Sequence, residues 1–368
     1  MKLNLTNAIL CLLMGVTASS ETANLRSTNN KFDVESHTVM DLTSHFLAWM
    51  KHHGKTYINK EELNLRRSIW MANHARIEEH NNEQHSYTLG HNEFSDMTSD
   101  EFHEHFGLGT FASPPSPAEE ILQDDDADET KEKIEKYLQE TEPVSLPDYV
   151  NWVTGGAVTP VKNQGSCGSC WAFSTTGALE GAKYVKTGEL VSLSEQNLLD
   201  CDHQDLGCRG GLMDNAFKFD EKSGGLCSEE DYPYEAKQGT ICKTDCTDVP
   251  GTQVKTFVDV PPGNANALLA ALALQPVSIA VQADQFVFQF YKKGVLDNDS
   301  CGKAGNIDHG VLAVGYGTDL ATQTPYWRVK NSWGSGWGDE GYLRIARNST
   351  NEFGQCAILK MASLPIVE

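Results

Sequence analysis

Placed at 100° per residue, Glu62, Arg66, Ile69, Trp70, Asn73, Ile77 and Asn81 share one helical face about 120° wide. They lie inside 55–89, a stretch without glycine or proline, so the spacing predicts one long amphipathic helix with a Glu62–Arg66 ion pair. Amphipathicity does not explain the two asparagines in the stripe. A second helix is expected over 169–180, with Trp171, Ala172, Phe173, Ala178 and Leu179 as apolar positions. Gly165-Ser166-Cys167-Gly168 before it calls for a turn, which places Cys170 at the helix N-terminus. Residues 276–283, 310–316 and 326–331 are β-branched or aromatic runs bounded by Gly, Pro and Asp, the pattern of antiparallel strands. Helices first and strands later imply an α+β chain whose helical and sheet parts face each other across a cleft.

Composition narrows the setting. The chain has 368 residues and a net charge of −22, which argues against a nucleic-acid backbone or an anionic membrane as partner. No apolar run is long enough to span a bilayer, so a soluble mature protein is expected. Lys2, the apolar run 8–16 and small residues Ala18, Ser19 and Ser20 read as a secretory signal segment over 1–20. Secretion sets an oxidising compartment for the cysteines. Without Cys11 nine of the ten remain, an odd number, so full pairing of the others leaves one thiol free.

Charge and histidine are unevenly spread. Residues 119–142 hold eleven acids and three lysines and follow Ser113-Pro114-Pro115-Ser116-Pro117, a composition that reads as a mobile linker. Ten of the twelve histidines precede Val144, leaving only His203 and His309 beyond it.

A thiol at a helix N-terminus meets the positive end of the macrodipole and unpaired N–H groups, which favour the thiolate; Cys170 is therefore a candidate nucleophile. His309 opens an apolar strand where its ring can face a cleft as ion partner, whereas His203 sits among acids in a loop. Three other readings compete: a Cys167-x-x-Cys170 redox pair, a zinc site of Cys201, Cys208, Cys242 and Cys246, and a purely structural cysteine framework. The redox reading lacks a βαβ context, and the zinc reading fits poorly with secretion.

Residues 164–174, Gln-Gly-Ser-Cys-Gly-Ser-Cys-Trp-Ala-Phe-Ser, resemble the active-site segment of papain-like cysteine proteases. Cys208-Arg209-Gly210-Gly211-Leu212-Met213 resembles that family's substrate-binding glycine segment, and Asp308-His309-Gly310 its histidine motif. Residues 326–342, containing Asn331-Ser332-Trp333-Gly334, resemble its asparagine motif. The helix stripe with Trp70, followed by Gly90-x-Asn92-x-Phe94-x-Asp96, is similar to the propeptide of the cathepsin L-like branch.

The resemblance implies a two-lobed α+β fold with a helical lobe and an antiparallel, barrel-like sheet lobe. With the signal segment 1–20 and the acidic linker 112–143 read from composition, it implies an inhibitory propeptide 21–111 and a peptidase domain 144–368. It makes Cys170 the thiolate nucleophile, His309 its imidazolium partner, Asn331 the group that orients His309, and Gln164 with the Cys170 N–H the oxyanion donors. Trp333 would shield the His309–Asn331 hydrogen bond, and Trp337 would help form the leaving-group side. Gly210, Gly211, Asp308 and an uncharged second-subsite pocket of Leu212, Met213, Ala280, Ile307 and Met361 would meet substrate, which implies preference for Leu or Phe over Arg there. Implied disulfides are Cys167–Cys208, Cys201–Cys242 and Cys301–Cys356, leaving Cys227 and Cys246 for a fourth. No metal or cofactor is implied.

Two positions depart from the family pattern. Asn151-Trp152-Val153 replaces Asp-Trp-Arg, which leaves Lys162 as partner for Glu180 and Glu195, and Ala357 replaces a glycine near the pocket floor. The expected protein is a monomeric endopeptidase made as a proenzyme, with protein or peptide substrates and its own propeptide as inhibitor, in a lysosome, a vacuole or outside the cell. A non-catalytic binding homologue is the alternative class. Histidines held neutral in the prosegment and an ion-paired Asp96 would release the clamp at acid pH. Asn298-Asp299-Ser300 and Asn348-Ser349-Thr350 are candidate glycan acceptors.

Overall fold

The computed structural model describes residues 41–108, 125–142 and 145–368. The expected signal segment and the proline-containing part of the linker lie outside these residues. By compactness the chain divides into residues 1–63 and 64–368. In the first unit, helix α1 (41–52) places Phe46 against Trp49 and Tyr57, with ring centroids 5.8 and 6.5 Å apart. No helix among the described residues is long and apolar enough to cross a membrane.

Helix α2 (Lys60–Asn81) occupies the predicted stretch and buries Trp70, Asn73 and Ile77. The expected Glu62–Arg66 pair gives way to other partners. Arg66 reaches Glu101 at 2.8 Å and the Asp96 carbonyl at 3.0 Å, while the Glu62 carboxylate accepts from the Ile58 N–H. A tertiary partner with fixed geometry prevails over a surface i,i+4 pair worth only a few tenths of a kcal/mol. The stripe asparagines are backbone clamps. Asn73 donates to the carbonyls of Ser95 and Met97, and Asn81 exchanges two hydrogen bonds with Leu89. Asn81 thereby docks β1 (Tyr87–Leu89) on α2, and a capping box at Thr98 and Glu101 starts α3 (Ser99–His105).

The acidic stretch read as a mobile linker folds in part, into α4 (Asp125–Glu140). Within it Glu129 pairs with Lys133 one turn on. Ala127 and Leu138 are buried, a stripe that the average composition of the segment conceals.

After the short β2 (Val150–Asn151), α5 (Cys170–Thr187) runs one residue later and seven residues further than predicted, buried from Cys170 to Lys183. It ends at Gly188 in the left-handed conformation, where the N–H caps Tyr184. Gly181 is required by contact: a Cβ there would lie 2.5 Å from Pro276. Helices α6 (Glu195–Cys201) and α7 (Met213–Ser223) complete a helical core with Trp171, Leu179, Leu198 and Phe217.

Beyond lie β3 (Val254–Asp259), α8 (Ala265–Leu274), β4 (Val277–Val281), α9 (Phe286–Gln289), β5 (Tyr291–Leu296), β6 (His309–Thr318), β7 (Pro325–Lys330), β8 (Tyr342–Ala346) and β9 (Ala362–Val367). The sheet order is β1-β5-β8-β7-β6-β4-β9-β3, with β2 on β6. A second apolar core includes Val258, Leu268, Ile279, Val311, Trp327 and Trp337. The α+β class therefore holds, with helices and sheet each building a core.

The covalent frame is Cys167–Cys208, Cys201–Cys242, Cys227–Cys246 and Cys301–Cys356, and Cys170 is free. With Cys167 bonded to Cys208, the redox-pair reading fails, and disulfides occupy all four cysteines of the zinc reading. Lys162 lies 2.7 Å from Glu195 and 3.5 Å from Glu180, and donates to the Leu193 carbonyl. Burial opposes the Lys162 charge, but Glu195 and Glu180 hold its ammonium above the ordinary value.

Candidate active site

The turn before α5 sets Cys170 as the first helical residue, with its side chain almost fully covered. His309 is the first residue of β6 and is fully buried. The N–H groups of Gly310 and Trp171 face the Cys170 sulfur. The Cys170 carbonyl oxygen would lie 3.2 Å from a Cβ at Gly310, so helix start and strand start are in contact.

Asn331 follows β7 and lies 2.8 Å from His309, Oδ1 to Nε2. The same Oδ1 accepts the Ser332 N–H at 2.8 Å, which fixes the amide orientation and makes His309 Nε2 the donor. The other ring nitrogen, Nδ1, is buried without a hydrogen-bond partner, in the state needed to take up a proton. Trp333 stacks on His309 with centroids 4.6 Å apart, and Trp337 meets Trp333 edge-on at 5.1 Å and donates to the Gln289 carbonyl.

Gln164 is fully buried. Its Nε2 donates to the Cys167 carbonyl at 2.9 Å, and its Oε1 accepts from the Ser332 hydroxyl at 2.7 Å. Tyr234 donates to the Gln164 carbonyl and lies 2.6 Å from the Ser169 hydroxyl. Ser332 and Tyr234 are positioning groups that sequence reasoning missed. Ser332 lies inside the asparagine motif, which carries the signal that could have found it, and nothing in the local pattern around Tyr234 points to Gln164.

The carboxylate of Asp308 accepts from the N–H groups of Ala283 and Asp284, and burial pushes it up to about 7. Met213, Ala280 and Ile307 belong to one apolar cluster, with Met361 packed against it and Leu212 next to Met213. Ala280 pairs with Gly310 and donates to the Met361 carbonyl. A Cβ at Gly211 would collide with the Trp171 ring at 2.6 Å, so only glycine lets this segment lie on the indole; Gly210 faces open space.

The prosegment covers this site. Phe102 and Phe106 lie 5.0 and 4.7 Å from Trp333, ring to ring. A Cβ at Gly107 would sit 3.1 Å from the Gly168 Cα and 3.4 Å from the Cys208 carbonyl, so the backbone here passes directly beside the residues before the nucleophile. Upstream, β1 pairs antiparallel with β5, and Asn92 donates to the Gln289 carbonyl.

Cover acts against the charged pair. Burial pushes the Cys170 thiol up to about 11, against the N–H groups of Gly310 and Trp171. Burial pushes His309 down to about 4, against its bond to Asn331. In the covered site desolvation favours the uncharged form of both groups and opposes the helix-end field.

Residues 146–366 match the family model described as papain family cysteine protease, and residues 46–102 match that of the cathepsin propeptide inhibitor domain. The chain is 41% identical over 373 residues to cysteine protease XCP2 of Arabidopsis thaliana, covering 99% of each. It is 42% identical over 328 residues to procathepsin L of Mus musculus, covering 87% of this chain and 90% of the relative. Among solved structures, recombinant stem bromelain precursor superposes with a TM-score of 0.76 at 35% identity, over 89% of this chain and 99% of that one. Digestive procathepsin L 3 of Tenebrio molitor larval midgut gives 0.74 at 36%, over 88% and 98%. With an unbridged cysteine beside a histidine–asparagine pair under an inhibitory prosegment, the chain belongs to the papain family of cysteine proteases, as a cathepsin L-like proenzyme.

Proposed function

We propose that this proenzyme becomes an endopeptidase whose nucleophile is Cys170, and that loss of the prosegment restores the thiolate–imidazolium pair. Water readmitted to the cleft lowers the desolvation that favours the uncharged forms, so the proton passes from Cys170 to His309. The thiolate attacks the scissile carbonyl, and His309 returns the proton to the departing amine. Asn331 holds the ring through Nε2. Gln164, its amide oriented by Ser332, and the Cys170 N–H stabilise the oxyanion, each donor contributing about 3 kcal/mol. The observation that carries this reading is the free Cys170 at the head of α5, in contact with the start of β6, where the His309 Nδ1 is buried without a hydrogen-bond partner.

Leu212, Met213, Ala280, Ile307 and Met361 form an uncharged second subsite, which favours Leu or Phe. Gly210, Gly211 and Asp308 flank the bound peptide, and Trp333 and Trp337 form the leaving-group side. Propeptide 21–111, linker 112–143 and peptidase domain 144–368 divide the chain in this reading, with α4 as a folded part of the linker. Four disulfides and the signal-like residues 1–20 support passage through the secretory pathway, to an acidic compartment or the cell exterior.

Acid releases the prosegment through its histidines. His80 and His85 stack at 4.0 Å, and His74 lies 3.0 Å from His91. Charging both members of either pair places like charges in contact. Labelling with an epoxide or haloacetamide tests the nucleophile: one equivalent on Cys170 should abolish peptide cleavage. Full labelling with undiminished turnover overturns it. A panel of peptide amides tests the pocket, which is wrong if Arg at the second subsite is cleaved faster than Leu.

A further inference from the structure

Helix α4 separates the cleft-blocking prosegment from the peptidase domain in the chain, yet it lies on neither Cys170 nor its neighbours. It packs on β3 and α8. Strand β3 ends the sheet order and is paired on one side only, with β9, so α4 lies against an edge strand.

The fit is specific on both sides. Ala127, Lys131, Ile134 and Leu138 follow i, i+4, i+7, i+11 spacing and so share one face of α4. Leu138 belongs to the apolar cluster of Val258, Val260, Leu268 and Ala271, and Ile134 and Tyr137 pack against it. Lys131, within that stripe, stands 5.8 Å over the Phe257 ring, and Lys218 of α7 lies at the same distance. The charge of Lys131 also acts on Asp259 and Glu221. The receiving face is thus an apolar strip edged by acids, matched by an apolar helix face with one lysine in register.

We infer that the β3–α8 face is a helix-binding exosite of the peptidase domain, and that α4 stays seated on it as a non-covalent light chain after the polypeptide is cut on either side. This rests on the reading of the chain as a processed proenzyme. In that case the cleft can be vacated while the exosite remains occupied, and the ligand class of the face is an amphipathic helix with a lysine in its apolar stripe.

The test separates the exosite from self-processing. In the full chain carrying Cys170→Ala, recognition sequences for an added site-specific protease are inserted between Leu108 and Asp125 and between Glu142 and Ser145. After cutting, gel filtration at micromolar concentration with mass spectrometry of the fractions locates the α4 fragment. Stoichiometric co-elution with the peptidase domain is expected. Leu138→Asp and, independently, Lys131→Glu should increase fragment release about tenfold or more. Lys131→Glu reverses the charge over Phe257 and leaves Ile134, Tyr137 and Leu138 in place, so it decides the matter if Leu138→Asp does not fold. A wild-type fragment that elutes free, or release unchanged by Lys131→Glu, overturns the exosite. A wild-type chain that never processes itself overturns the proenzyme reading alone.

Discussion

Phe106 stacks on Trp333 with ring centroids 4.7 Å apart, on the same indole that stacks on the imidazole of His309. The prosegment therefore holds the peptidase domain through the ring that shelters its histidine. Inhibition and cover of His309 share this contact.

Phe106→Ala should remove much of that hold. Truncating a buried phenylalanine costs about 3–5 kcal/mol, so the proenzyme should gain activity at neutral pH by roughly a hundredfold or more. Hydrolysis of a fluorogenic peptide by uncleaved protein checks this. Activity no higher than wild type would mean that the upstream β1–β5 pairing carries the inhibition alone.

Burial, and next the neighbouring His85, lowers the pKa of His80 in the fold, with Glu83 and the Tyr87 backbone opposing. A lowered folded value means that the unfolded prosegment binds more protons. Its contribution is complete above the ordinary histidine value of about 6.5 and is lost as pH falls through the folded value. Replacing His80 and His85 with glutamine should move the midpoint of processing to lower pH. The rate of prosegment loss between pH 7.5 and 4.5 is the measurement, and superimposable profiles would end the idea.

The thiol of Cys170 in the intact proenzyme is covered, and burial pushes it up to about 11. Haloacetamide should therefore modify it slowly at neutral pH, whereas processed enzyme should react readily at pH 5. Timed alkylation followed by mass spectrometry compares the two forms. Equal rates would show that the prosegment does not set the charge state.

Lys162 is the nearest cation to two buried carboxylates, at 2.7 Å from Glu195 and 3.5 Å from Glu180. Lys162→Met leaves these acids in the interior without that cation and should destabilise the fold by about 3–5 kcal/mol. Denaturant unfolding measures the loss. Lys162→Arg should recover most of it.

The two glycan acceptors stand differently. Asn348 is exposed, whereas the Asn298 amide nitrogen donates to the Tyr87 hydroxyl at 3.2 Å. A sugar on Asn298 would displace β1, so secreted proenzyme should carry a glycan at Asn348 and none at Asn298. Deglycosylation in heavy water with peptide mapping reads both positions.

Sequence periodicity located α2 and its buried Trp70, Asn73 and Ile77, because a helix stripe is a local pattern. The purpose of Asn73 and Asn81 was hidden, since their partners are backbone groups up to 24 residues away. Helix α4 escaped because eleven acids over residues 119–142 dominate the average, while burial depends on a few positions such as Ala127 and Leu138. The burial that opposes charge on Cys170 could not be read locally either. A helix N-terminus is visible in four residues, but the rings of Phe102 and Phe106 that close over Trp333 come from more than 60 residues earlier.

Strand β1 of the prosegment completes its sheet on the outer side of β5. Departure of the prosegment therefore leaves the released enzyme with an open row of backbone donors and acceptors along Tyr87's former partners, a template for self-association. Lys292 and Lys293 stand exposed on that same strand. Their mutual repulsion between copies gives the freed enzyme a built-in deterrent to aggregation, which becomes useful only once its inhibitor is gone.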